Sequence, residues 1–385
     1  MKAVVLAAGE GTRLRPLTRF RPKPMLPVAN RPLLEHVVKA VASAGIDDLV
    51  LVVGYHRKRI QNHFGDGTDW GIDITYAHQA KQLGTGHAVL QAEPHIDDSF
   101  IVLNGDRIID AEIVERLAAP DTTAPTMAIR RSTDPSRYGV VELDGDSVTR
   151  IVEKPPEHAT RSELINAGVY RFSPAVFDTI RDTETTGELM LTATLNRIAT
   201  NGGVRAVRYD GKWLDVTYLW DLLSVNANSL DRHAQGVDDA ASVHESAVVS
   251  RTVDIGRDVR IHPNATVLAG TSLGDNVEVG SNVVLANTVV LPDTAIGDGT
   301  VLRDCVVGAN TVIGPNVTVA GGTADVIAGD ELHKSVRLGA VVGDNSDLRG
   351  GVSLAPGTVV GNDTTVHEGA VVDGRLEDNA TVRRG

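Results

Sequence analysis

Residues 6–28 read L-A-A-G-E-G-T-R-L-R-P-L-T-R-F-R-P-K-P-M-L-P-V, directly after a short apolar run, Ala3 to Leu6, with the length and Val content of a buried parallel strand. Gly9 and Gly11 carry no Cβ, so backbone N–H groups in this turn can approach a phosphate chain closely. Arg13, Arg15, Arg19, Arg21 and Lys23 follow within a few residues, which outlines a polyanion site. The spacing is neither G-x-x-x-x-G-K-[ST] nor G-x-G-x-x-G, so the stretch is neither a P-loop nor a dinucleotide fingerprint.

Moving outward, the pattern alternates as a parallel sheet with covering helices does. Leu33, Leu34, Val37, Val38, Val41 and Ala42 recur at helical spacing and the run closes at Gly45. Strands are expected over Leu49 to Val53, Ile72 to Ala77 and Phe100 to Leu103, with a short basic helix around Arg57 to Phe64. In such sheets the ligand crevice lies beyond the carboxyl ends of the strands. The loops there are the Gly-rich stretch, Gln79-Ala80-Lys81-Gln82-Leu83-Gly84-Thr85-Gly86-His87-Ala88, and Asn104-Gly105-Asp106. Thr85 also suits a helix N-cap, and Asp110 competes with Asp106 to cap the next helix. Further on, Arg137-Tyr138-Gly139-Val140-Val141 opens a hairpin that turns at Asp144-Gly145-Asp146 and returns to Glu153-Lys154-Pro155. Ile165-Asn166-Ala167-Gly168-Val169-Tyr170 and Gly211-Lys212-Trp213-Leu214-Asp215 complete the candidate segments.

G-x-G-T-R-L followed by K-P-M-L-P resembles the signature of the sugar-1-phosphate nucleotidyltransferases, which make nucleoside-diphosphate sugars and release pyrophosphate. The later Q-x-x-Q-L-G-T-G-H-A, L-N-G-D, Y-G-V, E-K-P and N-A-G-V-Y occur in the family's order. The resemblance implies a nucleotide site at Leu6, Ala8, Gly9, Gly11, Thr12, Arg13, Gln79, Gly84 and Thr85. It implies sugar-phosphate contacts from Gly139, Glu153, Lys154 and Asn166, with Gly168 nearby. Arg13, Lys23 and Lys154 would be the charge-neutralising catalytic residues. Asp106 and Asp215 match the family's magnesium positions, although Val216-Thr217 stands where Gly and Thr are commoner. The implied cofactor is Mg²⁺, and the implied substrates are UTP or dTTP with N-acetylglucosamine-1-phosphate or glucose-1-phosphate.

The C-terminal third is periodic. Val249, Ile255, Ile261, Val267, Leu273, Val279, Leu285 and Leu291 are spaced by six. The phase slips through Ile296, Leu302, Val307, Ile313 and Val319, then returns as Val336, Val342, Leu348, Leu354, Val360, Val366 and Val372. A period of six fits neither a helix nor a hairpin, and repeats at a fixed short period indicate stacked coils. The segment resembles the left-handed parallel β-helix of hexapeptide-repeat proteins. The expected architecture is therefore an α/β Rossmann-like domain over residues 1–232 and a linker over 233–246. A left-handed β-helix over 247–385 follows, with an insertion at 320–334. Such rods trimerise, and a homo-oligomer is expected. A nucleotidyltransferase domain before this rod is similar to bifunctional family members that also acetylate glucosamine-1-phosphate, which would make acetyl-CoA a partner. Gly321-Gly322-Thr323-Ala324-Asp325 and Leu338-Gly339-Ala340-Val341-Val342-Gly343 resemble segments of that acetyltransferase region. The catalytic histidine segment has no counterpart, Asp325 replaces an asparagine, and His333 is out of position, so an oligomerisation rod is favoured. The same plan also occurs in non-catalytic regulatory or scaffold subunits.

The chain has 385 residues, enough for two or three domains, and 50 acidic against 37 basic residues, a formal charge of −13. This balance argues against a nucleic-acid or anionic-membrane partner. A single cysteine, Cys305, excludes an intramolecular disulfide and a cysteine-built zinc cage. Without a membrane-length apolar run or a leader before the first strand, a soluble cytoplasmic protein is expected.

Overall fold

The computed structural model describes residues 1–119, 125–156, 162–185, 187–200, 203–329 and 331–383. The chain forms two compact units. The first comprises Met1–Glu10, Pro22–Met25 and Leu33–Leu214; the second comprises Gly11–Arg21, Leu26–Pro32 and Asp215–Gly385.

The first unit is built on a nine-stranded sheet. Lys2–Ala7 lies between Asp48–Val53 and Phe100–Asn104, and Asp73–His78 pairs beyond Asp48–Val53, all parallel. Leu164–Phe172 then joins Phe100–Asn104 antiparallel and leads into the strands that include the hairpin Gly139–Asp144/Ser147–Glu153. Gly145, with φ 59°, makes the turn as the D-G pair requires. The apolar runs are continuous because both faces of the sheet are covered. Ala3, Val5, Leu49, Leu51, Ile101 and Leu103 face one core with Leu34, Val37 and Ile113, while Val4, Val50, Val52, Phe100 and Val102 face another with Phe172 and Phe177. Each such fully buried Val, Leu, Ile or Phe side chain contributes about 1.5–3 kcal/mol relative to exposure. Helices Leu33–Ser43 and Arg57–Phe64 lie where their periodicities predict.

The second unit is dominated by a coil of three parallel sheets, in which each strand pairs with the strand one turn later. Ile255, Leu273, Val290, Val307, Val342, Val360 and Leu376 form one inward ladder. The steps along it are 18 residues from Ile255 to Leu273 and 17 from Leu273 to Val290. The lost residue is at a corner. Asp258, Asn264, Asn276 and Asn282 turn the chain with positive φ three residues after an inward side chain, whereas Asn287 and Asp304 do so after two. Asn and Asp tolerate this left-handed conformation better than other side chains.

Several boundaries differ from the sequence reading. The inward residue after Leu285 is Val290 and not Leu291, because the shortened corner at Asn287 advances the phase before residue 291. Val336 is not a coil position: Thr323–Ala328 and Glu331–Arg337 form an antiparallel hairpin, so the insertion extends past residue 334. Asp330 within it lies outside the described residues. The expected linker, 233–246, already contains coil strands, since Gly236–Val237 pairs with Asp254–Ile255 and Ser242–Val243 with Arg260–Ile261. The stretch scored as linker because its first rungs place an exposed Val237 and Val243 where later rungs bury apolar residues. Among the described residues no helix is long and apolar enough to cross a membrane.

Candidate functional site

Within the first unit, the carboxyl ends of the parallel strands carry three groups of candidate residues. Leu6 is the penultimate residue of the first strand, and its carbonyl accepts from Gly105 N–H at 2.9 Å, which ties the end of that strand to the Asn104-Gly105-Asp106 turn. Ala8 O accepts from Gln82 Nε2 at 3.0 Å. Gly9 is conformationally ordinary, and a Cβ built there would meet no described atom within 4 Å. The fold therefore does not require glycine at residue 9. Gly54, one strand over, is different: a Cβ there would press on Ala8 at 3.0 Å.

Lys23 Nζ donates to Asp106 Oδ2 at 2.6 Å, with the two side chains 15% and 30% exposed. Burial alone would raise the Asp106 pKa, but the Lys23 ammonium, with Arg107 beside it, holds the carboxyl below its ordinary value. Asp110 stands at the start of the Ala111–Ala118 helix without making a side-chain cap. Its carboxylate instead accepts from the Tyr209 hydroxyl and from Lys212 N–H.

In the third-strand loop, Gln79 is buried and its Nε2 donates to Gly84 O at 3.2 Å, with His87 Nδ1 at 2.9 Å. Gly84 has φ 101° and ψ 171°, and a Cβ there would lie 2.5 Å from Leu189 O, so only glycine fits. Gly84, rather than Thr85, occupies the cap position of the Thr85–Leu90 helix. The Thr85 hydroxyl accepts from Leu191 N–H at 2.9 Å, and Leu83 O accepts from Leu189 N–H at 2.7 Å. The loop is thus clamped along the 189–191 segment.

The sugar-side candidates cluster on the hairpin and the bulged strand Leu164–Phe172. A Cβ on Gly139 would lie 3.1 Å from Glu153 Oε2 and 3.6 Å from Asn166 Cβ, so these three residues adjoin. Asn166 Oδ1 accepts from Gly168 N–H at 2.9 Å and its Nδ2 donates to Tyr170 Oη at 2.7 Å. Burial pushes the Tyr170 hydroxyl up to about 12, so it stays neutral. Lys154 adopts φ 40°, an uncommon left-handed backbone that re-aims the chain just past Glu153. Its N–H donates to Tyr138 O at 3.0 Å. Beside this cluster, the Arg107 guanidinium lies 4.7 Å from the Trp213 ring and 5.5 Å from Tyr138, and Trp213 Nε1 donates to Ala167 O. Sequence reading missed this stack; its only local signals were the positions of Arg107 directly after Asp106 and of Trp213 two before Asp215.

Gly11, Thr12, Arg13 and Asp215 belong to the second unit. Gly11 is left-handed, φ 73°, and starts the turn Thr12–Leu14, while Leu14 and Leu17 are fully buried anchors. Thr18 Oγ1 donates back to Gly11 O at 2.8 Å. Asp215 is nearly buried; Oδ2 accepts from Thr217 Oγ1 at 2.6 Å, and Oδ1 has no hydrogen-bond donor among the described residues. Magnesium is commonly held by one or two carboxylates completed by substrate phosphates and waters. Taken each within its own unit, the orphaned buried carboxylate oxygen on Asp215 and the carboxylate kept ionised at Asp106 both have the chemistry of such a ligand. Among the described residues no cluster of three or more His, Cys, Asp or Glu side chains forms a protein-only metal site.

This architecture, a mostly parallel sheet with a parallel coil in the same chain, has known counterparts. The chain belongs to the nucleotidyl transferase family, whose model matches residues 2–232. A second model, the GMPPB C-terminal domain, matches residues 249–376. The chain is 33% identical over 415 residues to a Methanococcus maripaludis protein called bifunctional protein GlmU, covering 99% of this chain and 97% of that one. It is 34% identical over 291 residues to a glucose-1-phosphate thymidylyltransferase of Streptomyces antibioticus, covering 74% and 81%. A crystal structure of a Bacillus anthracis protein described as a glucose-1-phosphate thymidylyltransferase, in complex with a sucrose, superposes with a TM-score of 0.56 at 28% identity, covering 60% of this chain and 96% of that one.

Proposed function

We propose that the chain transfers a nucleotidyl group from UTP or dTTP to N-acetylglucosamine-1-phosphate or glucose-1-phosphate, releasing pyrophosphate. The observation that carries this reading is Gly9. Its missing side chain serves no described packing contact, which leaves the backbone just past the first strand open to a phosphate chain.

A phosphate oxygen of the sugar-1-phosphate attacks the α-phosphorus, and the bond from that phosphorus to the bridging oxygen of the leaving pyrophosphate breaks. Positioning and charge neutralisation supply the rate. Arg13 and the amides around Gly9 to Thr12 hold the β and γ phosphates, and Lys23 neutralises charge near the α-phosphate. Gln79 and Gly84 receive the pyrimidine, and Thr85 keeps their loop in place. Gly139, Glu153 and Asn166 bind the sugar, and Lys154 places its phosphate. Asp106 and Asp215 would hold Mg²⁺, which supplies Lewis-acid stabilisation of phosphate charge when bound.

The coil is read as a scaffold that assembles copies of the chain, with a trimer favoured; Val248, Val312 and Val371 are 60%, 49% and 79% exposed along it. Acetyl-CoA consumption with glucosamine-1-phosphate would instead assign it acetyl transfer. The deciding experiment pairs a panel of four nucleoside triphosphates and both sugar phosphates with the Gly9→Ala variant, read as pyrophosphate release. Gly9→Ala is expected to keep its melting temperature within about 1 °C and to lose at least tenfold in kcat/KM for the triphosphate, about 1.4 kcal/mol of transition-state binding. Unchanged kinetics in that variant would remove the ligand explanation of residue 9.

A further inference from the structure

The segment that carries Gly11, Thr12 and Arg13 lies in the same compact unit as the coil, and buried polar groups tie it there. Arg21 Nη2 donates to Asp344 Oδ2 at 2.6 Å, with side chains only 9% and 3% exposed, and Nη1 donates to Leu17 O at 3.3 Å. Asp344 sits at a coil corner, where its Oδ1 accepts from Ala309 N–H of the preceding turn at 2.9 Å. Asp275, Asp298 and Asp378 make the same corner bond, each with a single oxygen to the N–H of Arg257, Ser281 and Asn362. The bond to Ala309 thus serves the coil, whereas the second oxygen of Asp344 serves Arg21.

Residue 362 departs from this use of aspartate in an informative way. Asn362 Oδ1 accepts from Asp344 N–H at 2.8 Å, as a carboxylate would, while its Nδ2 donates both to Asp378 Oδ1 at 3.0 Å within the coil and to Pro16 O at 3.2 Å, neither of which a carboxylate could do. A buried ion pair contributes little net stability over apolar packing of the same volume, so coil stability alone does not account for it. What the pair and the amide accomplish is placement of both ends of residues 16–21, directly after the turn that holds Arg13.

We propose that Asp344 and Asn362 are positioning residues for the triphosphate loop, acting through Arg21 and the Pro16 carbonyl, so that nucleotide use in this chain depends on the coil. The inference rests on the reading of residues 9–23 given above.

The test compares the full-length chain with Asp344→Asn, Asn362→Asp and Arg21→Lys, none of which changes a side chain greatly in volume. KM for the triphosphate should rise at least tenfold in each, with KM for the sugar phosphate changing less than twofold, at a temperature well below unfolding. Amide hydrogen exchange over residues 11–21, measured without substrate, should speed up at least tenfold while the coil strands away from the 362/378 corner keep wild-type protection. A purely structural role would lower the melting temperature and leave the ratio of the two KM values alone. Unchanged exchange in all three variants overturns the anchoring, and faster exchange with an unchanged triphosphate KM overturns its functional role. If the wild-type chain releases pyrophosphate from no triphosphate, the functional reading fails first, while exchange still decides whether Asp344 and Asn362 hold the loop.

Discussion

Gly84→Ala perturbs the loop proposed to receive the base, at a position where the cost can be worked out atom by atom. The native backbone, φ 101° and ψ 171°, lies in a region that is essentially restricted to glycine, at about 1–3 kcal/mol for another residue. The added Cβ would lie 2.5 Å from Leu189 O and 2.7 Å from its carbonyl carbon. Relief requires the 189–191 segment to withdraw, which strains the bonds Leu189 N–H to Leu83 O, Gly86 N–H to Leu189 O and Leu191 N–H to Thr85 Oγ1. Two such bonds lost at about 1 kcal/mol each bring the total to roughly 3–5 kcal/mol. Some of that cost will be avoided by moving the loop, and the Gln79 amide bonded to Gly84 O moves with it. The assay is pyrophosphate release at saturating sugar phosphate over a range of triphosphate, alongside a thermal melt. The expected result is a triphosphate KM raised at least tenfold, weaker discrimination between bases, and a lowered melting temperature. Gly187→Ala is the control, because a Cβ there meets nothing within 4 Å and its backbone is ordinary. A Gly84→Ala variant with wild-type KM and melting temperature would refute the account of this loop.

Asp106→Asn keeps an acceptor for Lys23 but removes the charge, so it should lower kcat by about 100- to 1000-fold while costing little stability at a half-open site; near-normal turnover at saturating Mg²⁺ would discard Asp106 as a metal ligand. The Asp254 carboxyl, pushed up to about 6 by burial with Asp238 adding to it and Asn30 and Arg31 opposing, keeps its proton in the fold at pH values where the unfolded chain has released it. The stability this gives is complete below the ordinary value of 3.8 and is lost as pH rises through about 6, a loss of about 3 kcal/mol. Asp254→Asn should therefore raise the melting temperature by several degrees at pH 8 and by almost nothing at pH 4, and an equal gain at both pH values would contradict the assignment.

Much of the first unit was legible because its signals are local. The strand Lys2–Ala7, the helix Leu33–Ser43 and the Asp144-Gly145-Asp146 turn each follow from residues adjacent in sequence, and the structure places them where expected. The hexad period likewise announced the coil, since every inward Val, Leu or Ile meets the same environment as the one before. What the sequence hid were features set by distant partners. The shortened corner at Asn287 shows only in the strand register, where Leu273 pairs with Val290 and not with Leu291. Val336 fits the hexad phase by coincidence, because it is a half-buried residue of an antiparallel hairpin and pairs with Ala324. In the candidate site, Lys23 with Asp106 and Gly139 with Glu153 and Asn166 were found one residue at a time through resemblance, and their adjacency came from the fold. Arg21, in contrast, read as one more cation of the loop, since nothing near it in sequence points to a carboxylate 323 residues away.

The three-sheet coil also restricts how this chain can change length. Each hexad carries the backbone across one sheet, and three return it to the same sheet one turn on, as Ile255 to Leu273 does. Deleting one whole turn ahead of residue 309 therefore keeps every later side chain on its original side. Deleting a single hexad instead rotates everything beyond it by a third of a turn and carries Asp344 and Asn362 to a different face. Insertions and deletions tolerated in this region should thus be quantised in steps of one turn, 16 to 18 residues. The hairpin Thr323–Arg337 shows the permitted exception, a detour that leaves and re-enters at one corner without disturbing the angular order.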